Sequence, residues 1–179
     1  PHTLLLANEL DQTQNLSNTS RTDLLIRPIV NEYRIEQTDL TSRDLNLVPA
    51  TAESLTDYLT LVLETANAGL SNVAGNEVTI ALNASNVNVD KQLNNYRRVI
   101  DAFSRADVPA PLGERHAAVL NNFIQMRDAF ELLISAGEDD GAKSIYALDD
   151  LKVLQVQNLE AIESLAESWR LAVDNLENQ

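Results

Sequence analysis

From Thr51 onward the chain repeats apolar residues at steps of three and four, the spacing that places side chains on one face of an α-helix. Several separate segments carry this pattern, and an amphipathic helix must bury its apolar face against another element. Aromatic residues make up only 4% of the chain, so aliphatic side chains have to fill most of the core. The sequence therefore predicts an all-α fold, an antiparallel bundle of about four main helices.

The first helix is predicted from about Ala52 to about Asn72. Thr51 precedes it as a candidate N-cap, because its hydroxyl can accept from free amides of the first turn. An Asn-rich stretch follows, and a break is expected near Gly75 because Asn side chains compete for backbone hydrogen bonds. Residues 77–82 contain β-branched side chains that fit a strand, but without a convincing partner strand we favour a short helix.

Three further helices are predicted, with limits at about 90–108, 111–137 and 140–175. The second stops before Pro109, since the residue ahead of a proline avoids the helical region, and residues 108–111 form a stiff corner. Gly137 fits a left-handed C-cap of the third. The last is either continuous, and then longer than its partners, or broken near Ala147. Its predicted inward residues are Ile145, Leu148, Leu151, Leu154, Asn158, Ile162, Leu165, Trp169, Ala172 and Leu176.

Residues 1–48 lack a sustained period. They mix polar residues with short apolar runs, and Pro28 would interrupt a helix there. We expect an extended or irregular arm packed on the core, with residues 49–179 forming the helical bundle domain.

Charge narrows the classes of partner. The chain carries 13 Lys and Arg against 27 Asp and Glu, a formal net charge of -14. Such a surface repels phosphate backbones, so nucleic acid and anionic lipid are poor candidate partners. No apolar run is long enough to span a bilayer. A chain starting at Pro1 is expected to be a trimmed fragment, with any membrane contact made through a segment absent from it.

Residues that perform chemistry are scarce. The chain has no Cys, and His116 is the one histidine outside the N-terminal arm, so we expect no cofactor, no metal site and no catalytic site. As a general base His116 would need a carboxylate or hydroxyl partner; the plainer interpretation is a half-buried residue bonded to the corner after Pro109. Asp139-Asp140-Gly141 and Asp149-Asp150 suit caps and turns better than a calcium loop. Glu160 and Glu163 fit a solvated helix face.

Five residues are candidates for a pocket or an interface: Tyr58, Tyr96, Arg97, His116 and Trp169. The first four would line a small-molecule pocket if the chain were a ligand-sensing domain. Trp169 either anchors an interface or covers the end of the bundle. An enzyme that used His116 with acidic residues is a third hypothesis.

Several motifs occur in an order that resembles the order in a known group of proteins. They are Tyr96-x-x-x-Ile100-x-x-Phe103, then Val108-Pro109-x-x-Leu112-x-x-x-His116-x-x-x-Leu120-Asn121, then an acidic turn and a helix that carries Tyr146. Over residues 54–169 the chain is similar to uncharacterised helical proteins of small-genome bacteria, presumed extracytoplasmic and often membrane-anchored. It departs from their pattern at Leu59, where Gly is expected. No activity is established for that family, so no functional residue carries over.

The resemblance implies an all-helical domain displayed at the cell envelope. Together with the scarcity of reactive residues, it favours a non-enzymatic structural or protein-interaction module with an unidentified protein partner. The alternative is an extracytoplasmic ligand-sensing helical domain of a receptor. Whether the chain forms a homo-oligomer stays open.

Overall fold

The computed structural model describes residue 35 and residues 39–68, 86–136 and 140–178. Within them the chain forms four α-helices, which we number α1 (Ala52–Ala68), α2 (Asn86–Ser104), α3 (Gly113–Ala136) and α4 (Gly141–Glu177). The prediction of an antiparallel, mainly helical bundle is confirmed. The predictions for residues 1–34, for residues 77–82, and for Gly75 and Gly137 lie outside the described residues.

Helix α1 begins where its capping residues predict. The Thr51 hydroxyl accepts from the Ser54 amide at 3.1 Å, and the Ser54 hydroxyl in turn accepts from the Thr51 amide at 2.9 Å. Two amides near the helix start are thereby satisfied by side chains, the arrangement of a capping box with serine as its second member. Inward from this start, Leu55 and Tyr58 are buried.

Helix α4 is continuous over 37 residues, so the alternative of a break near Ala147 is wrong. Asp140 is its N-cap and accepts from the Lys143 amide at 3.0 Å. At 1.5 Å per residue the helix is roughly 55 Å long, against roughly 36 Å for the 24 residues of α3. The two helices share the most extensive contact between elements in the described part of the chain.

The inward face of α4 follows its predicted period, with one error. Leu151, Leu154, Leu165 and Ala172 are buried, but Ile145 is 70% exposed and does not face the core. Ile145 lies one turn from the start of α4, before the buried positions Ala147 and Leu151. The apolar period therefore does not by itself give the point at which α4 meets its neighbours.

The sequence gives no sign of a small parallel sheet, and the structure has one. Strand β1 (Asn46–Val48) pairs in parallel with β2 (Asp107–Pro109), with Leu47 opposite Val108. The predicted corner at 108–111 is thus half strand, followed by a 3₁₀ turn at Ala110–Leu112. This pairing attaches the chain before α1 to the connection between α2 and α3.

The segment before β1 also packs on α3. The Asn121 side chain accepts from the Leu40 amide at 3.0 Å and donates to the Leu40 carbonyl at 2.9 Å, a two-bond contact that mimics a sheet. At Gly113 an added Cβ would lie 3.0 Å from atoms of both Leu47 and Ser42. The lack of a side chain at Gly113 therefore permits the close approach of this segment to the start of α3.

Candidate functional site

His116 lies at the centre of a polar contact among three helices. It is fully buried, its Nδ1 is 2.8 Å from the Tyr58 hydroxyl of α1, and its Nε2 is 3.0 Å from the Phe103 carbonyl of α2. Its ring also stacks on that of Phe103, with centroids 4.9 Å apart and 18° between the planes. The predicted hydrogen bond therefore reaches the end of α2 before the corner, not the corner itself.

These two contacts fix the tautomer of the neutral imidazole. The Phe103 carbonyl can only accept, so Nε2 must carry the hydrogen; Nδ1 of a neutral ring then accepts from the Tyr58 hydroxyl. Burial lowers the pKa of His116, with the hydrogen bond to the Phe103 carbonyl opposing this shift. Burial also raises the pKa of Tyr58, so its hydroxyl remains protonated. Both pKa shifts favour the neutral forms, imidazole and phenol.

The arrangement stabilises the C-terminal end of α2. Phe103 belongs to the last turn of α2, where carbonyls lack partners within the helix, and it accepts from both the Ala106 amide and His116. Both nitrogens of His116 are engaged, and the ring has no solvent access. The imidazole is thus a buried hydrogen-bonding tie between α1, α2 and α3.

Tyr96 and Arg97 occupy different environments. Tyr96 is fully buried, with its ring 6.0 Å from that of Phe130. Arg97 lies on the surface, where its guanidinium donates to Glu131 of α3 at 3.0 Å. Both partners are about half exposed, so this ion pair is worth only about 0 to 1 kcal/mol.

Trp169 and Tyr58 line one apolar groove between α1 and α4. Its volume is about 130 Å³. The indole nitrogen donates to the Leu55 carbonyl at 3.1 Å, which fixes the ring against α1. We call this feature the α1–α4 groove; its lining residues are Tyr58, Leu59, Val62, Ile162, Leu165, Ala166 and Trp169. Of the five predicted residues, the structure therefore brings Tyr58 together with His116 and with Trp169.

A row of exposed apolar residues on α4 leads into this groove. Val153, Val156 and Leu159 follow one another at steps of three and are 49%, 57% and 59% exposed. Ile162 continues the step and is partly buried as part of the groove lining. We call these four residues the α4 row. The sequence pattern predicted only Ile162 among them, because Val153, Val156 and Leu159 fall outside the inward period, but the unbroken three-residue spacing of apolar residues is a visible signal.

A second, more polar groove of about 180 Å³ lies between α3 and α4, lined in part by Gln125, Tyr146 and Asp150. Burial raises the pKa of Asp150, a hydrogen bond with Tyr146 opposes the shift, and the neighbouring charge of Asp149 adds to it. Asp149 and Asp150 lie within continuous α4, so neither caps a helix.

Two features are absent among the residues that the structure describes. No three acidic, histidine or cysteine side chains among them lie close enough together to hold a metal ion. Within the same residues, no helix combines the length and the apolar character needed to cross a membrane.

Comparison of the chain with protein-family models, with curated proteins and with solved structures gives no significant match.

Proposed function

We propose that this chain is a non-enzymatic helical domain that acts as a structural or protein-interaction module at the cell envelope. The observation that supports the proposal most directly is the α4 row. Its three outer residues are each about half exposed or more, and its fourth residue, Ile162, lines the apolar α1–α4 groove. Isolated apolar residues are normal on a protein surface, whereas a contiguous apolar patch is typical of a site of interaction.

The environment of His116 favours an interaction module over an enzyme. A general base has to reach the proton that it removes, and its nitrogen must be free to accept that proton. In His116 the nitrogens hold Tyr58 and the Phe103 carbonyl, within a fully buried ring. These contacts are those of a residue that stabilises a fold.

The size of the α1–α4 groove favours a protein partner over a small molecule. Pockets that enclose small ligands measure about 300 to 1,000 Å³. The groove measures about 130 Å³ and adjoins an open helix surface, dimensions that suit one large apolar side chain. The receptor alternative also requires Tyr96 and Arg97 at the ligand, and neither is among the residues that line the groove.

The placement at the cell envelope depends on the family resemblance over residues 54–169. Protease added to intact cells, compared with protease added to lysed cells, tests it. The outer layers of the envelope are first removed, and the cytoplasmic membrane is left unbroken. We expect protease to digest the protein in such cells. Protection of the protein until the cells are lysed would contradict the placement.

Site-specific photo-crosslinking tests the interaction module. In one strain, the cells that produce the chain incorporate a photoreactive amino acid in place of Leu159. In a matched strain, the same amino acid replaces Ile134, an exposed residue of α3. We expect a discrete crosslinked protein from position 159 and none from position 134. If position 159 yields no crosslinked protein in cells that contain the folded chain, the interaction module is wrong.

A further inference from the structure

We infer that the partner surface is a basic amphipathic α-helix of another protein, which lies along Val156, Leu159 and Ile162 of the α4 row and inserts one apolar side chain into the α1–α4 groove. This inference rests on the proposed interaction function and specifies its partner. Three observations carry it: the three-residue spacing of the row, the dimensions of the groove, and unpaired carboxylates beside the row.

The spacing of the row indicates a helical partner. Residues three apart form one of the two ridges of a helix surface, and such a ridge packs into the groove between four-apart residues of a second helix. Val153, Val156, Leu159 and Ile162 form four consecutive members of one such ridge, over roughly 13 Å of helix. Each step of three turns the row by about 60° around α4, so Val153 lies on the opposite side of the helix from Ile162 and borders the groove between α3 and α4. A partner helix can cover the other three, Val156, Leu159 and Ile162, with about two of its turns.

The groove supplies an anchor point at one end of the ridge. Ile162 belongs to both features, and beyond it Leu165, Ala166 and Trp169 continue the apolar lining. Tight interfaces concentrate their binding free energy in a few side chains that fill well-packed recesses. Trp169 is fixed by its hydrogen bond to the Leu55 carbonyl, so the recess exists before the partner arrives.

Charge beside the row selects a basic partner. Residues 149–163 contain four acidic residues and one basic residue, a balance of -3. Glu160 and Glu163 are exposed, follow Val156 and Leu159 by four positions, and therefore share their face of α4. Across the described residues, the ion pairs involve neither Glu160 nor Glu163 nor Asp149. Lys and Arg at the edge of a partner helix would complement these carboxylates.

The same charges disfavour a second copy of this chain as the occupant. A symmetric contact places a surface patch against itself. Two copies would bring Glu160 and Glu163 of each chain close together, on molecules that each carry a formal charge of -14. Like charges across an interface oppose association, so a heterologous basic helix is the better match.

The test uses the whole chain and two synthetic helical peptides of about 20 residues. Both carry leucine at heptad positions and no tryptophan; one has lysine on its polar face and the other has glutamate. Trp169 is the single tryptophan of the chain and lines the groove, so its fluorescence reports occupancy. We expect the lysine peptide to bind with a change in Trp169 emission, and the glutamate peptide to bind at least about tenfold more weakly.

Neutral substitutions separate specific docking from general attraction to an acidic protein. Val156→Gln with Leu159→Gln leaves the charge unchanged and should weaken the lysine peptide at least about tenfold, whereas Ile134→Gln on α3 should not. Glu160→Gln with Glu163→Gln should weaken binding several-fold and reduce its salt dependence. Glu53→Gln with Glu177→Gln removes the same charge from exposed positions away from the row and is the matched control.

Several results would overturn the inference. They are equal binding of the two peptides, equal weakening by the row variants and their controls, no binding of the lysine peptide at millimolar concentration, and a homodimer whose dissociation constant rises in the Val156→Gln/Leu159→Gln variant. A protein crosslinked at position 159 through an acidic or non-helical segment would also refute the basic helix, but it would leave the interaction module standing. Absence of any crosslinked protein would instead refute the module itself.

Discussion

Removing the hydrogen bond between Tyr58 and His116 should destabilise the fold in a way that depends on which partner is changed. Tyr58→Phe removes the hydroxyl and leaves the buried Nδ1 without a donor; His116→Phe removes the acceptor and leaves the buried hydroxyl without a partner. A buried polar group that loses its partner costs about 1 to 3 kcal/mol. We therefore expect each single substitution to lower the free energy of unfolding by that amount.

The double variant should cost less than the sum of the two. With both polar atoms gone, no orphan is left at this contact, and the Phe103 carbonyl keeps the Ala106 amide as a donor. Phenylalanine also retains a ring at position 116 to stack on Phe103. The expected coupling free energy is about 1 to 2 kcal/mol, within the range for residues in direct contact.

The pH dependence of the free energy of unfolding gives an independent test of this contact. Burial depresses the pKa of His116 in the folded state below its ordinary value of about 6.5, so the unfolded chain takes up the proton first as pH falls. The neutral ring makes its full contribution to stability above pH 6.5. As pH falls from there to the pKa of the folded state, this contribution decreases by up to about 1.4 kcal/mol per pH unit. The stability advantage of the wild type over His116→Phe should therefore shrink between pH 7 and pH 5.

Urea unfolding at 25 °C, followed by far-ultraviolet circular dichroism, measures all of these free energies when the transition is two-state. The wild type and each variant are unfolded at several pH values and at constant ionic strength. Strictly additive single-variant costs, together with a constant free-energy difference between wild type and His116→Phe across that pH range, would refute the account of this contact.

Three further predictions concern stability and use the same unfolding assay. Asn158 is 7% exposed, and among the described residues its Oδ1 has no hydrogen-bond partner, so Asn158→Leu should raise the free energy of unfolding by about 1 to 3 kcal/mol; a decrease would contradict this reasoning. Gly113→Val should lower it by about 1 to 3 kcal/mol because the side chain would meet Leu47 and Ser42, whereas Gly141→Val, with no atom near its Cβ, lacks that clash. Thr51→Ala should cost about 0.5 to 2 kcal/mol through loss of the α1 cap, and no change would show that the cap contributes nothing.

Local sequence signals predicted the helices well because those signals act over a few residues. The Thr51 cap marks the start of α1, and the Asp140 cap marks the start of α4. The predicted start of α2 was four residues late, at Asp90 in place of Asn86, since Asn86, Val87 and Asn88 carry little helix propensity. Elongation of a formed helix adds one hydrogen bond per residue, so α2 extends over these weak helix formers.

The parallel pairing of β1 with β2 could not be predicted in the same way. Strands of three residues carry no measurable period, and a parallel pair joins segments far apart in sequence. The pairing depends on where α1 and α2 return the chain, which is a property of the assembled bundle. The Leu40–Asn121 contact is non-local for the same reason.

The candidate sites divide along the same line. Single residues could be selected from the sequence, as His116, Tyr58 and Trp169 were, but their partners could not, because the Phe103 carbonyl and the Leu55 carbonyl are backbone atoms that every residue has. Backbone acceptors leave no mark in the side-chain pattern. The sequence predicts a structural role for His116 because it shows no partner side chain that a catalytic or metal-binding histidine would need. The atoms that form hydrogen bonds with His116 are known only from the fold.

Helix α4 contains two patterns of apolar spacing, one for its buried face and one for the α4 row. Steps that alternate three and four follow the turn of a helix and keep residues on one side, as in Leu151, Leu154 and Asn158. Uniform steps of three fall short of a full turn and carry the row around the helix, so Val153, Val156, Leu159 and Ile162 pass from solvent into the α1–α4 groove. A helix that only closed its own bundle would need the first pattern alone, so the presence of both on α4 supports the proposal of a partner for its outer surface.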